Sequence, residues 1–225
     1  MPGGLVAGID GTDGGWIAAV GATGGTELRM LPAFDFGGAL SALVDAPIGL
    51  PERGDRFCDL EARRLLGPRR SSVFPAPLRS MLAAADHRQA CAIREAIEGK
   101  RCSVQLFGIL GKIREVDAAM TPALQRRVRE GHPEVSFAAL NGGAPLRHYK
   151  GTPEGRSERL RLLRRHFPDV DEQLSALHPR RWVADAIDAH ALLWSALRAA
   201  SGAAIALPAG RIEVDARGLR QEIVY

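Results

Sequence analysis

Cysteine is scarce in this 225-residue chain: Cys58, Cys91 and Cys102 are odd in number and show no C-x-x-C spacing. A disulfide framework is excluded, no thiolate zinc site is expected, and a reducing compartment fits. Long apolar runs are missing as well. The best candidate for a membrane span, after Asp188, is broken by His190, Ser195 and Arg198, short of the roughly 18 uninterrupted apolar residues a span needs. The opening MPGGLVAGID has neither the basic region nor the apolar stretch of a secretory signal. The expectation is therefore a cytoplasmic protein with no membrane partner. Lysine is almost absent, with only Lys100, Lys112 and Lys150 among the 30 Lys and Arg. There is no internal repeat, no G-x-x-x-x-G-K-[ST] phosphate loop, no G-x-S-x-G elbow and no H-E-x-x-H zinc motif.

What is present is enough apolar material for a core, at 46% of residues, and a net charge of +4 written mostly in arginine. Guanidinium forks suit phosphate oxygens, so the balance points toward anionic partners without naming one.

The first fifty residues read as strands. Runs at Leu5–Ile9, Trp16–Val20 and Leu28–Leu31 are joined by Asp10-Gly11 and by the glycine-rich stretch 21–25, which predicts an antiparallel meander. Leu40–Val44 reads as a buried fourth strand stopped by Asp45-Ala46-Pro47. Helices are predicted over Cys58–Leu66, from Asp86 to Glu98, and over Ser103–Met120. A further helix is expected from Thr121-Pro122 to Gly131, and a strand over Val135–Leu140. Thr152-Pro153-Glu154 opens an arginine-rich helix and a long helix starts near Asp185. A strand at Ala203–Leu207 and a hairpin over Ile212–Tyr225 close the chain. The expected class is α/β: one mixed sheet, three antiparallel strands and then parallel ones, with helices on both faces. All 225 residues read as one domain, with a helical insertion at about 51–130.

Five carboxylates stand at element ends. Asp10 ends the first strand, Asp45 the fourth, Glu134 lies in His132-Pro133-Glu134, and Asp185 and Asp188 open the long helix, three residues apart on one face. Acids gathered outside strand ends repel one another unless cations neutralise them, and hard oxygen donors suit Mg²⁺ or Mn²⁺. Two such ions about 4 Å apart activate water and steady the leaving oxygen in phosphodiester cleavage. Each acid also has a plain structural use: Asp10 in an Asp-Gly turn, Asp45 in an Asx motif, Asp185 and Asp188 as helix caps, Glu134 on a strand surface. Arg69 and Arg70 beside Ser71-Ser72-Val73-Phe74, and Lys150 beside Tyr149, are candidate phosphate contacts. The arginines at 156–165 spread over most of their helix and read as a solvated surface.

Gly8-Ile9-Asp10-Gly11, Asp45-Ala46-Pro47-Ile48-Gly49-Leu50-Pro51, Arg70-Ser71-Ser72-Val73-Phe74, His132-Pro133-Glu134 and Asp185-Ala186-Ile187-Asp188-Ala189 resemble the bacterial "domain of unknown function 429" family, DUF429. The segments Lys112 to Asp117 and Pro153 to Arg156 match it too. The resemblance implies a ribonuclease H-like fold and a metal-dependent nuclease. Asp10, Asp185, Asp188 and Glu134 would then hold Mg²⁺ or Mn²⁺, with Asp45 in the catalytic set and Arg69, Arg70 and Lys150 on the nucleic acid, DNA or RNA. The last helix also resembles that of RuvC-type resolvases. One departure stands out, since Pro32–Ser41 leaves no room for the full helix such folds place after the third strand.

Two alternatives remain open. Gly8 to Gly15 also resembles the first phosphate loop of actin-like ATPases and sugar kinases. The chain also reads as a binding module that holds nucleic acid or protein without cutting.

Overall fold

The computed structural model describes residues 4–22, 25–36 and 38–225. Strands β1 (Val6–Thr12), β2 (Gly15–Ala22) and β3 (Gly25–Leu31) form the expected antiparallel meander. Part of the predicted glycine turn, residues 23–24, lies outside the described residues. Strand β4 (Ser41–Val44) pairs with β1 in parallel, and β5 (Val128–Glu130) pairs with β4 in parallel. The result is a mixed five-stranded sheet in the order β3-β2-β1-β4-β5. Between Pro32 and Ser41 the described residues contain no helix, as the short spacing requires.

Helices α1 (Phe57–Leu66), α2 (His87–Glu98) and α3 (Val104–Ala119) fill the long connection from β4 to β5. Asp86 caps α2 by accepting from the Gln89 amide, and Ser103 caps α3 through the Leu106 amide. Helices α4 (Pro133–Leu140), α5 (Pro153–Leu163), α6 (Val170–Ala176) and α7 (Val183–Ala200) follow β5.

Four expectations are corrected. Val135–Leu140 is not a strand but most of α4. An unbroken apolar run suits a buried helix as well as a buried strand, and Pro133 at the first helical position decides for the helix. Glu134 therefore lies in a first helical turn. The predicted helix from Thr121 to Gly131 is instead a short 3₁₀ turn, Leu124–Arg126, followed by β5. Three residues of strand are too few to show an alternation in the sequence. The strand at the chain's end, β6 (Ala206–Leu207), does not join the main sheet but pairs with β7 (Ile223–Val224). The expected terminal hairpin is reduced to a single antiparallel bridge between Val214 and Arg220. Helix α6, with its exposed acidic first turn, was not foreseen.

Both faces of the sheet are covered. Val6, Ile17, Ala19 and Leu43 pack under α5, α6 and α7. Ala7, Ile9, Trp16, Ala18, Ala42 and Val44 face Val116 and Met120 at the end of α3. Gly8 sets how close α7 comes to the sheet, because a Cβ there would stand 2.1 Å from both the Ala189 carbonyl oxygen and the Leu193 nitrogen. Gly8→Ala is expected to push α7 off β1 at a cost of about 3 kcal/mol, a loss of roughly 6–12 °C in Tm by thermal unfolding. An unchanged Tm would mean that α7 is free to shift. No helix among the described residues is long and apolar enough to cross a membrane.

Candidate functional site

Register brings Asp10 and Asp45 together. Asp10 does not end β1, as the sequence suggested, but stands inside it opposite Ile17. The parallel pairing of β1 with β4 does stop at Ile9 and Val44, and the Asp45 amide donates to the Ile9 carbonyl at 2.9 Å, so Asp10 and Asp45 lie side by side just past that pairing. Gly131 continues the series by donating to the Val44 carbonyl at 3.0 Å, and His132 and Glu134 follow it. On Asp10's side of the sheet, the close approach at Gly8 carries the first turns of α7, with Asp185 and Asp188, over β1. The carboxyl end of a parallel sheet is where α/β proteins assemble sites.

The plain structural uses account for little of this. Helix α7 is capped by Trp182 with no side-chain bond, so neither Asp185 nor Asp188 is its N-cap. Among the described residues no backbone amide donates to the Asp45 carboxylate. The expected Asp10-Gly11 turn does not form, since the turn between β1 and β2 is Asp13-Gly14; Asp10 accepts from the Gly11 amide at 2.7 Å through Oδ1 as a strand residue.

The acids repel one another. Burial lifts the Asp10 carboxyl well above the usual carboxylate range, and the charges of Asp45, Asp188 and Asp185 lift it further, against Lys150. Asp45 is raised by burial too, with His132 opposing and Asp188 adding to the rise. Asp185 is pushed up to about 6, first by burial and then by Asp188. Asp188 is 2% exposed, and its Oδ2 accepts from Lys150 Nζ at 2.9 Å. That carboxylate is the main reason the Lys150 ammonium holds its proton above the ordinary lysine range.

Glu134 is buried in α4, where its Oε1 accepts from Arg159 Nη2 while Oε2 has no partner, and its charge reaches Asp45. Arg159 is itself buried, donating to the Gly155 carbonyl at 2.9 Å and lying over the Phe137 ring at 5.3 Å.

Arg69 and Arg70 are placed differently from Lys150. The Arg69 guanidinium donates to the His148 carbonyl at 3.1 Å and lies over Tyr149, so it braces the loop that carries Lys150. Arg70 is exposed on the 3₁₀ turn Gly67–Ser72. The cations beside the acids come from elsewhere. A cleft of about 170 Å³ is lined by Lys150, Arg156, Arg159, Arg180 and Arg181 and reaches Asp188. Arg156 is exposed in this cleft with no ion-pair partner among the described residues, whereas Arg181 holds Asp13 at 2.6 Å and Arg180 donates to the Ser175 carbonyl at 3.2 Å. Arginine on every side of α5 hid the two, Arg156 and Arg159, that line the cleft.

Among the described residues, the one set of three His, Cys, Asp or Glu ligand atoms within 4.8 Å of one another lies elsewhere, at α2. The acids are thus more widely spread, yet their donor chemistry fits a hard divalent cation: all oxygen, negative in sum, and only partly offset by Lys150.

These charges set a pH dependence. A carboxyl with a raised native pKa keeps its proton in the folded chain after the unfolded chain has lost it, so stability falls with pH from about 4 upward through the native value. Glu130, pushed up to about 7 by burial, acts in the same sense, whereas His166 and His190, lowered by burial, act oppositely. The difference between Asp10→Asn and the parent cancels those groups. In chelator, the variant's Tm is expected to exceed the parent's by an amount that grows from pH 4.5 to pH 7.5, read by thermal unfolding. A flat difference would remove Asp10 from the repelling cluster.

Residues 8–212 match the model of a family described as "Protein of unknown function (DUF429)". No curated protein and no solved structure matches the chain.

Proposed function

Since the chain belongs to the DUF429 family over residues 8–212, a family whose description assigns no activity, we propose from its own site that it is a divalent-metal-dependent phosphodiesterase that cleaves nucleic acid. The observation that carries this reading is the mutual repulsion of Asp10, Asp45, Asp185 and Asp188 at one end of the parallel strands. It is joined by a cleft lined by four arginines and Lys150 that opens on Asp188. The strand order β3-β2-β1-β4-β5, three strands antiparallel and the rest parallel, supports a ribonuclease H-like architecture.

Asp10 and Asp188 are the central donors for Mg²⁺ or Mn²⁺, with Asp45, Asp185 and the unpartnered oxygen of Glu134 completing the set. When bound, the cation supplies Lewis-acid activation of water and charge relief at the leaving oxygen. The chain's own cations bind and orient. Arg156, Arg180 and Arg181 grip backbone phosphates, a contact without sequence information. Lys150, tied to Asp188, holds the phosphate end of the cleft against the acids. Arg159 holds Glu134 through one oxygen and leaves the other without a partner.

The test is cleavage of labelled single-stranded, duplex and branched DNA and RNA with Mg²⁺ or Mn²⁺, against chelator. Divalent-dependent cleavage of at least one substrate is expected. No cleavage across the panel would overturn the reading. For binding in chelator, Arg156→Ala is expected to lower the slope of log affinity against log salt by about 1, the loss of one phosphate contact. An unchanged slope would take Arg156 off the backbone.

The Lys150–Asp188 ion pair favours a second reading, in which the chain binds nucleic acid without cutting it, because the lysine already offsets part of the acidic charge. In that case Asp10→Asn binds the same substrates as the parent and neither protein cleaves them.

A further inference from the structure

Helix α2 and the segment after it hold a set of side chains that the carboxylate site does not use. His87 stands in the first turn of α2 and Cys91 one turn later, so both point to one face. Gly99, with φ of +69°, ends the helix in the left-handed conformation and reverses the chain. The reversal brings Cys102 back alongside, just before α3. The Sγ atoms of Cys91 and Cys102 are 3.5 Å apart, and Cys91 Sγ is 3.4 Å from His87 Nε2. All three ligand atoms lie within 4.8 Å of one another.

Those separations are informative. A disulfide is bonded at about 2.05 Å, so the two thiols are free. Tetrahedral Zn²⁺, with Zn–S about 2.3 Å and Zn–N about 2.0 Å, places neighbouring sulfurs roughly 3.8 Å apart and sulfur and nitrogen roughly 3.5 Å apart. The Cys91–Cys102 and Cys91–His87 separations are within a few tenths of an ångström of those values, and the His87–Cys102 separation lies within 4.8 Å. The two thiols differ: Cys91 is lowered, burial being outweighed by its hydrogen bonds to Cys102 and by the Arg101 guanidinium, whereas burial and Cys91 push Cys102 up to about 11. The imidazole is steadied by the edge of Phe107, with ring centres 5.6 Å apart. Cys91 and Cys102 are 2% and 6% exposed, within the small core of the β4–β5 connection, while His87 is half-buried and open on one side to solvent.

We propose that His87, Cys91 and Cys102 form a binding site for a thiophilic divalent cation, Zn²⁺ in the first instance, with the fourth position open to water. Binding releases a proton from each thiol and breaks the contact between His87 Nε2 and the Cys102 carbonyl at 3.1 Å, and the imidazole proton passes from Nε2 to Nδ1 so that Nε2 can ligate. The cation then pins α2 to the entry of α3. It is chemically distinct from the all-oxygen cluster at Asp10, which selects hard cations.

The experiment uses the full chain, reduced and stripped with chelator. Zn²⁺ is titrated against a chromophoric chelator, and Co²⁺ alone serves as a spectroscopic probe. One equivalent of Zn²⁺ per chain is expected, together with a sulfur-to-cobalt charge-transfer band that oxygen ligands do not produce. Cys102→Ser should weaken the band and lower affinity at least tenfold. His87→Gln, at the half-buried position where folding is least at risk, should lower affinity at least tenfold, the least that loss of even an outer-shell partner costs, while keeping the band. Cys58→Ser, in a separate core, should change neither. Absence of the band, a band that survives Cys102→Ser at full strength, or a reduced chain that binds no Zn²⁺ and only closes a Cys91–Cys102 disulfide on oxidation would each overturn the proposal.

Discussion

Asp10→Asn is expected to abolish divalent-dependent cleavage, by on the order of a thousandfold, while leaving the chain folded and more stable in chelator than the parent. The two effects come from one charge. In the parent, Asp10 sits among Asp45, Asp185 and Asp188, and burial together with their repulsion raises its pKa. An isosteric amide keeps the acceptor that takes the Gly11 amide but removes the repulsion, so the folded state gains. The same change removes a central anionic donor. Loss of several kcal/mol of charge stabilisation in the transition state corresponds to about three powers of ten in rate. The check is single-turnover cleavage beside a melting curve with and without Mn²⁺. The parent should be stabilised by Mn²⁺ through linkage, and the variant should not. Residual activity within tenfold of the parent would refute the assignment of Asp10. A variant that is inactive because it is unfolded would show itself in the melting curve.

How much of this was readable from the chain depended on the reach of each signal. Asp45 was visible because Asp-Ala-Pro ends a strand by local chemistry; Asp10 was picked out by an Asp-Gly signal that ends nothing here, since β1 runs on to Thr12, and parallel register brings the two together. Asp185 and Asp188 were visible through helical spacing, although Gly8, which lets their helix come close, reads in sequence as an ordinary strand glycine. Glu134 was found as a residue but assigned to a strand, since an apolar run after Pro133 does not by itself distinguish the two structures. The basic cleft was out of reach, because it joins Lys150, two positions of α5 and two arginines before α7, and only folding puts them on one surface. The cysteine set was missed for a related reason. The ten residues between Cys91 and Cys102 match no short zinc spacing, and only the turn at Gly99 closes the gap.

The largest loss of stability is expected from Arg56→Met, at about 3–5 kcal/mol or roughly 10–15 °C in Tm. Arg56 is 1% exposed just before α1 and donates to Asp59 at 2.6 Å and to both oxygens of Glu130 at 2.7 Å. It also donates to the Ile48 carbonyl at 3.1 Å. The network ties the end of β5 and the start of α1 to the loop that follows Asp45, so it supports the site without touching it. Methionine fills much of the volume but leaves two buried carboxylates with no counter-charge. Those carboxylates cannot simply be deleted, because the Ile48 amide donates to Glu130 at 2.7 Å and the Ala76 amide to Asp59 at 3.1 Å. Amides at both positions keep an acceptor for each. Arg56→Met combined with Glu130→Gln and Asp59→Asn is therefore expected to regain more than half of the loss. pH separates this account from simple loss of packing. Burial already holds Glu130 up to about 7 with Arg56 in place, and without Arg56 its native pKa rises further. The single variant should therefore recover stability as pH falls from 8 to 5, where the unfolded carboxyl is still ionised and the folded one is protonated. Denaturant unfolding at the two pH values measures this. A deficit of equal size at both would mean that Arg56 acts through its packed volume and not through its charge.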